Sequence, residues 1–387
     1  MSSPTPAEAP TIQDRVTDFS SRLSPVLVKE LRQGMRTNLF VIAFILLQTF
    51  MILCLIAGIA YSTSRDTNGF FWFFIIATLL IVQPLRGFSA LSSEYQMNTM
   101  DLIQLTKLNG WRITLGKWTA LNAQGFLFIT GVLPYLVIRY YLGNVNFVSD
   151  LVALAMIGLG TALETAMTVG CSVFKNIVLR GIMLVGMFFA TAMLSSLLSF
   201  SALSGRSILN QVEVLILYSL AGVYGILFFL SFGASRISPL SENLATRKRI
   251  TAIAVVLLAQ LFHFSGAHNE VFVVTALILG LALIDAITEP LPVFSKVLVP
   301  FRKNALTRIA ATFLSPGWIS GLGFFLLTIV LSLASLVIAG FQRSTPTNLS
   351  DIEGWIVILS IANCVLFPLL IIHLFFPGHS SHHFTFG

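Results

Sequence analysis

The 387-residue chain has very little charge, because Asp, Glu, Lys and Arg together make up only 10% of it. Soluble domains carry about 25% charged residues. The chain is also 56% hydrophobic and contains 33 phenylalanines. This composition excludes an ordinary soluble protein. It predicts an all-α, polytopic integral membrane protein, because long apolar runs cross a bilayer as helices whose backbone groups bond within the segment.

Cysteine is scarce as well, and its three positions exclude a disulfide framework or a cysteine metal site. Cys54, Cys171 and Cys364 lie in separate apolar runs with no CxxC or His spacing. Residues 1–37 are polar and lack the short apolar core of a cleaved signal peptide, so we expect the first span itself to direct membrane entry.

The sequence also lacks a nucleotide-binding loop. The segment 110–117 superficially resembles one, but one residue too many separates its glycines, and Trp118 follows the lysine where Ser or Thr is required. No catalytic residues, metal ligands or cofactor are predicted on this chain. If ATP drives the protein, ATP and Mg belong to a partner subunit.

Apolar runs of about 20 residues, long enough for a 30 Å hydrocarbon layer, recur along the chain. Pro84 predicts a kink near the inner end of the second run. The seventh and eighth runs are short, and a re-entrant hairpin is the alternative there. The ten predicted spans are 39–61, 70–91, 119–142, 151–173, 181–203, 212–234, 250–266, 271–287, 319–339 and 355–376.

The distribution of basic residues predicts the orientation. Of the 23 Lys and Arg residues, all but Arg65, Arg139, Arg206 and Arg343 lie on the side of the N-terminus. The positive-inside rule therefore places both termini in the cytoplasm. The excess positive charge faces anionic lipid headgroups, which accounts for the basic composition without a nucleic-acid partner.

The predicted organisation has five parts. They are a flexible cytoplasmic tail (1–23), an interfacial helix (24–37), a six-span core (38–235), a four-span extension (236–378) and a C-terminal tail (379–387). In the interfacial helix, Leu27 and Leu31 lie on the apolar side and Lys29 and Arg32 on the polar side. Such a helix is expected to lie in the plane of the membrane surface.

The loop between spans 2 and 3 is predicted to contain a second short helix. Asn98 is a suitable helix start, and Asn109 with Gly110 is a suitable stop. Its apolar side chains lie all around the helix rather than on one stripe, so a cytosolic helix of this kind needs further surface to cover it. We interpret it as a docking element for a cytosolic partner. The alternative is a helix buried wholly within this chain.

The order of residues around this helix resembles the coupling-helix region of type-2 ATP-binding cassette permeases. The matching positions are Glu94, residues 98–102, residues 105–109 and Gly116-Lys117, with Asn98, Lys107 and Asn109 replacing the family's glycine, proline and serine. The resemblance implies a cytoplasmic coupling helix that docks a separate ATPase, with contacts by Thr99, Met100, Asp101, Leu102, Leu105 and Thr106. The family's interfacial helix helps to seat the ATPase, which implies contacts by Leu27, Lys29, Leu31 and Arg32.

The resemblance further implies a multi-pass permease subunit in the plasma (bacterial inner) membrane, paired with itself or a related permease. Export is the family's usual direction. Some relatives instead act as non-transporting scaffolds or mechanotransmitters coupled to an ATPase, and that alternative stays open. A membrane-embedded enzyme is disfavoured, because the spans contain only isolated polar groups.

Glu164 is the acidic side chain that the sequence places well inside an apolar run. A carboxylate in lipid must face protein or water, so Glu164 is either an interhelical anchor or a residue of a substrate or gating pathway. An ion-coupled secondary transporter that uses Glu164 is the principal rival function. Ala162, Ala166 and Gly170 form a small-residue stripe on the same predicted helix, which favours close packing against a neighbouring helix.

Overall fold

The structure is a computed structural model that describes residues 25–60, 65–91, 109–142, 146–173, 212–238, 243–262, 268–288 and 304–342. Every regular element within these ranges is helical, in agreement with the predicted all-α class. The coupling helix with its six predicted docking residues and the predicted spans 181–203 and 355–376 lie outside the described residues.

The long helices are numbered here in chain order. The second span is not one regular helix, because after its first segment it continues through a π-helical segment (Ala77–Val82), an α-helical turn (Gln83–Leu85) and a 3-10 turn (Arg86–Ser89). The numbered helices are α1 (Pro25–Met35), α2 (Asn38–Ala60), α3 (Arg65–Ile76), α4 (Gly110–Leu142), α5 (Phe147–Cys171), α6 (Val212–Ile237), α7 (Ala245–Gln260), α8 (His268–Thr288), α9 (Ala305–Leu314) and α10 (Trp318–Gln342).

Within the described ranges, five helices are long and apolar enough to cross a membrane. They are Asn38–Ala60, Gly69–Ser89, Gly110–Leu142, Phe147–Cys171 and Val212–Ile237. Their positions agree with predicted spans 1, 2, 3, 4 and 6, and they identify the chain as a polytopic membrane protein.

The helices of the C-terminal part are less regular spans. The 16 residues of α7 reach only about 24 Å, which is less than the hydrocarbon thickness. The apolar part of α8, Val271–Ala286, is short as well. Helices α9 and α10 pass the same test only as one pair, and that pair is bent by 94°. The sharp bend therefore lies between α9 and α10, whereas the sequence indicated a re-entrant hairpin for the two runs before them.

The π-helical segment has a local cause in the sequence. Proline has no N–H, and its ring collides with the carbonyl of the preceding helical turn. In the chain, the Gln83 N–H bonds to the Thr78 carbonyl, which widens the helix by one residue just before Pro84. The widened turn accommodates the proline, as π-bulges commonly do.

The two largest apolar cores among the described residues hold the helices together. The first lies among α2, α3, α4 and α5 and contains Leu47, Ile75 and Phe128. The second lies among α6, α7, α8 and α10 and contains Phe228, Ile278 and Phe324. Helix α6 belongs to the second core and also packs along α5, so it joins the two parts of the bundle.

The predicted small-residue stripe lies in the contact between α5 and α6. Ala166 is fully buried against Ile226 and Leu230 of α6. At Gly170 the two backbones meet, because a Cβ on Gly233 would be only 2.7 Å from the Gly170 Cα atom. Small residues permit this approach, and they make α5 and α6 the most closely packed pair of spans near that end of the bundle.

Candidate functional site

Helix α1 is amphipathic, as the sequence predicts. Leu27 and Leu31 are half-buried, whereas Lys29 and Arg32 are exposed. Arg36 is exposed on the same side as Arg32. The predicted interfacial residues thus divide into an apolar side against the bundle and a basic side that faces outward.

An ion pair fastens α1 to α4. The Lys117 Nζ atom lies 3.0 Å from the Glu30 Oε1 atom, and the Lys117 side chain is only 5% exposed. One turn further on, Gly34 lies directly against Gln124, because a Cβ at Gly34 would be 2.9 Å from the amide carbon of that side chain. A methyl group at position 34 would require the end of the Gln124 side chain to shift.

A second set of bonds fastens α1 to the end of the second span. Arg86 donates through Nη2 to the Gly34 carbonyl at 2.8 Å and to the Thr37 hydroxyl at 3.2 Å. In the preceding turn, the Gln83 side-chain amide donates to the Leu121 carbonyl at 2.6 Å. These bonds place the start of α2 and Leu121 of α4 at about the same level along the bundle.

The first turns of α4 therefore extend beyond the start of α2. The residues from Gly110 to Leu121 span about 16 Å of helix at 1.5 Å per residue. This overhang belongs to a helix of 33 residues, which is longer than a membrane span requires. The overhang and α1 lie at the same end of the bundle, and the Glu30–Lys117 ion pair joins them there.

Both ends of the loop 92–108, for which the coupling helix is predicted, are anchored on the bundle. Leu91, the last described residue before the loop, is fully buried, and its N–H donates to the Ser172 hydroxyl at 3.0 Å. Gly110, just after the loop, packs on the end of α6, since a Cβ there would be 3.1 Å from the Ala234 carbonyl oxygen and 3.0 Å from the Ser238 nitrogen. The loop thus leaves and re-enters the bundle at the ends of α5 and α6.

Glu164 is buried, with 2% of its surface exposed. Two interhelical bonds set its level along α4. The Trp118 indole N–H donates to the Ala162 carbonyl at 2.9 Å, and the Asn122 amide donates to the Thr165 hydroxyl at 3.2 Å. Glu164 therefore lies beside the stretch of α4 between Trp118 and Asn122. This level along the bundle is close to the start of α2 and not to its middle.

Sequence reasoning found Glu164 but not the buried threonines that lie beside it on α5. Thr161, Thr165 and Thr168 lie on the same stretch of α5 and are all buried. Each threonine hydroxyl bonds to a backbone carbonyl of its own helix, and Thr165 also meets Asn122 of α4. A threonine within an apolar run is a weak polar signal in a sequence, which is why these three residues were not predicted to be part of a polar cluster.

A second buried ionic group, also missed, lies at the start of α7. Asp285 of α8 is 1% exposed and accepts from two consecutive cations. Its Oδ1 atom lies 2.6 Å from the Lys248 Nζ atom, and its Oδ2 atom lies 2.7 Å from the Arg249 Nε atom. Arg249 is fully buried and Lys248 is 2% exposed. Glu164 is therefore not alone among buried carboxylates, and the isolated Asp285 near the end of an apolar run was the available signal.

Among the described side chains, no group of three or more His, Cys, Asp or Glu residues is arranged to hold a metal ion. Comparisons with protein-family models, with curated proteins and with solved structures find no match to this chain.

Proposed function

We propose that the chain is the membrane-spanning permease subunit of an ATP-binding cassette transporter, driven by a separate ATPase that docks on the loop between residues 92 and 108. The observation that carries the proposal is the partly buried Glu30–Lys117 ion pair. It joins the predicted interfacial helix to the lysine that ends the motif resembling a coupling-helix region. Two elements identified separately from the sequence are thereby in direct contact.

The anchoring of the loop supports a mechanical function for it. A docking element transmits force only if both of its ends are fixed to the parts that move. The Leu91–Ser172 bond fixes one end to α5, and the close packing of Gly110 fixes the other to α6. A force applied to the loop would therefore be transmitted to α5 and α6, whose backbones are in contact at Gly170 and Gly233.

The proposal includes finer features. The chain would have ten spans, both termini in the cytoplasm and a location in a bacterial inner membrane, where it would pair with a second permease and export its substrate. The exposed basic side of α1, with Lys29, Arg32 and Arg36, would face lipid headgroups and the docked ATPase. ATP and Mg would be bound by the ATPase subunit.

The position of Glu164 favours this function over an ion-coupled transporter. Coupling sites of secondary transporters lie near the middle of the membrane. Glu164 lies level with Trp118 and Asn122, near the start of α2. A buried carboxylate beside the overhang of α4 is better placed to hold helices together than to bind a transported ion.

The test is co-purification of the chain with its ATPase. Leu102→Arg/Leu105→Arg, which places two charges on the coupling helix, is expected to abolish co-purification of an ATP-hydrolysing subunit. An ATPase that stays bound to this double variant at the natural level contradicts the proposal. Size-exclusion chromatography checks that the variant remains folded.

The ion pair provides a matched second test. Glu30→Lys and Lys117→Glu each place like charges together and are expected to weaken ATPase binding, because α1 loses its attachment to α4. The double exchange restores an opposite-charge pair in reversed order and is expected to recover most of the binding. If both single variants bind the ATPase as well as the natural chain does, α1 does not contribute to the ATPase-binding surface.

A further inference from the structure

The first turn of α7 contacts five parts of the bundle through consecutive side chains. We call residues 246–249 the basic turn. Successive residues of a helix project about 100° apart, so four of them cover the whole circumference. The Thr246 hydroxyl donates to the Leu314 carbonyl at the end of α9, at 2.7 Å. The other three side chains contact α4, α6, α8 and the connection between α9 and α10.

Arg247 contacts the first turn of α4, where the loop 92–108 re-enters the bundle. Its guanidinium carbon lies 5.9 Å from the ring centre of Trp111, a cation–π arrangement. Trp111 follows Gly110 in the first turn of α4, where the loop re-enters the bundle. A displacement of the loop at this end therefore moves the ring on which Arg247 rests.

Lys248 and Arg249 carry the contact inward to α8. Both bind the carboxylate of Asp285, one at each oxygen. The Lys248 ammonium also lies 5.9 Å from the Phe228 ring centre of α6. A buried pair of this kind is strongly destabilised when one partner is lost, because the remaining charge stays in an apolar environment.

Arg249 also holds the connection between α9 and α10 in its bent form. We call residues 313–321 the elbow. The Arg249 Nη1 atom donates to the carbonyls of Phe313 (3.2 Å) and Ser315 and to the Ser320 hydroxyl (3.0 Å), and its Nη2 atom donates to the Gly317 carbonyl (3.3 Å). One guanidinium thus satisfies carbonyls that the end of α9 leaves without helical partners.

Two glycines shape the elbow around this guanidinium. Gly317 has φ 125°, a conformation that other residues rarely adopt. A Cβ at Gly321 would lie 2.8 Å from the Ala286 Cα atom and 3.1 Å from Arg249 Nη2. The bend of 94° and the hydrogen bonds of the Arg249 guanidinium therefore depend on each other, because straightening the elbow would separate the guanidinium from its acceptors.

From these contacts we propose that the basic turn couples the coupling-helix loop to the elbow, and that Arg249 is the positioning residue that holds the elbow bent. Movement at Trp111 passes through Arg247 into the turn and reaches the elbow through Arg249. The use of this link during transport rests on the proposed function, whereas the link itself does not. Through this link, the position of helices α8–α10 would depend on the conformation of the loop 92–108.

Hydrogen–deuterium exchange of the full chain in lipid nanodiscs tests the link without ATP or a partner. Within the elbow, the Ser315 and Gly321 amides bond to the carbonyls of Ala311 and Gly317, and their exchange reports local opening. Trp111→Leu removes the aromatic face and is expected to accelerate exchange over residues 313–321 about two- to fivefold, the range of an exposed cation–π contact. Trp111→Phe keeps an aromatic ring and is the matched control, with exchange close to the natural rate.

A second pair of variants separates coupling from general loosening. Arg247→Ala is expected to reproduce the effect of Trp111→Leu, and the double variant is expected to exchange no faster than either one. Elbow exchange that is unchanged in Trp111→Leu, or effects that add in the double variant, would overturn the proposal. Arg249→Lys is expected to accelerate elbow exchange more than tenfold, because Lys cannot reach several carbonyls at once.

The outcomes also separate this inference from the proposed function. If the elbow responds to Trp111→Leu but no ATPase co-purifies with the chain, the link stands and the transporter assignment falls. If an ATPase docks on the loop but Trp111→Leu leaves the exchange rates of the elbow unchanged, the link is wrong and the transporter assignment is unaffected. Should Arg249→Lys fail to fold, the Trp111→Leu and Trp111→Phe pair still decides.

Discussion

Replacing Gly170 by Ala tests whether α5 and α6 meet backbone to backbone. A Cβ at Gly170 would overlap the Phe229 carbonyl oxygen and lie 2.9 Å from the Phe229 carbonyl carbon. Neither atom belongs to a flexible side chain, so the methyl group is accommodated only if the two helices separate. Ordinary contact begins at 3.4 Å, so the carbonyl carbon alone requires a separation of about 0.5 Å, and the nearer carbonyl oxygen requires roughly 1 Å.

The expected cost follows from that separation. A gap of about 0.5–1 Å removes roughly a quarter to a half of the dispersion energy of the atoms on each side. Overpacking of this kind typically costs about 1–3 kcal/mol. The helix preference of Ala over Gly returns about 1 kcal/mol, so Gly170→Ala is expected to lower the free energy of unfolding by up to about 2 kcal/mol.

The assay is a denaturant titration of the purified chain in mild detergent, followed by far-ultraviolet circular dichroism. Gly280→Ala is the control, because a Cβ at Gly280 of α8 has nothing within 4 Å. That change is expected to be neutral or to stabilise by up to about 1 kcal/mol. A Gly170→Ala chain as stable as the Gly280→Ala chain would refute the backbone contact and, with it, the close α5–α6 pair through which the loop is proposed to act.

Three further predictions concern the same end of the bundle. Gly34→Ala is expected to loosen α1 from α4, which would accelerate hydrogen–deuterium exchange of the α1 amides. Adding Gln124→Ala is expected to restore the natural exchange rate, and a double variant without this rescue would contradict the contact between Gly34 and Gln124. Ser172→Ala removes the acceptor of the Leu91 N–H and is expected to cost about 1–2 kcal/mol in the denaturant titration, whereas no change would mean that this end of the loop is not anchored there. Glu164→Gln is expected to retain ATP-dependent transport in proteoliposomes, and loss of uptake driven by an ion gradient would instead support the ion-coupled alternative.

The sequence predicted most of the helices because their signals are local. A run of apolar residues, the amphipathic period of α1 and the small residues around Gly170 each depend on a few neighbouring side chains. Five described apolar helices agree with predicted spans, and the exposed Lys29 and half-buried Leu31 lie on the sides assigned to them. For the docking residues of the coupling helix, the prediction stays a prediction.

The sequence could not predict contacts between residues far apart in the chain. Glu30 and Lys117 are separated by 87 positions, and nothing in either segment identifies the other as a partner. Arg249 and Asp285 are 36 positions apart, and their charges look like an ordinary loop end and an isolated acid. The break between α9 and α10 has a local signal in Ser315-Pro316-Gly317, but the Arg249 side chain that binds its carbonyls is 66 positions away from Ser315 and has none.

The basic residues on the predicted inner side show why charge counting gives orientation but not mechanism. The positive-inside rule treats all of them alike. In the structure Lys29 and Arg32 are exposed, where they suit lipid headgroups or a docked protein, whereas Lys117, Lys248 and Arg249 are buried and tie helices together. A surface charge of the first kind can be neutralised at little cost. A charge of the second kind cannot, because its carboxylate partner would remain within the bundle without a counter-ion. Neutralising Lys29 and neutralising Lys117 should therefore leave the orientation unchanged, yet only the second should destabilise the bundle.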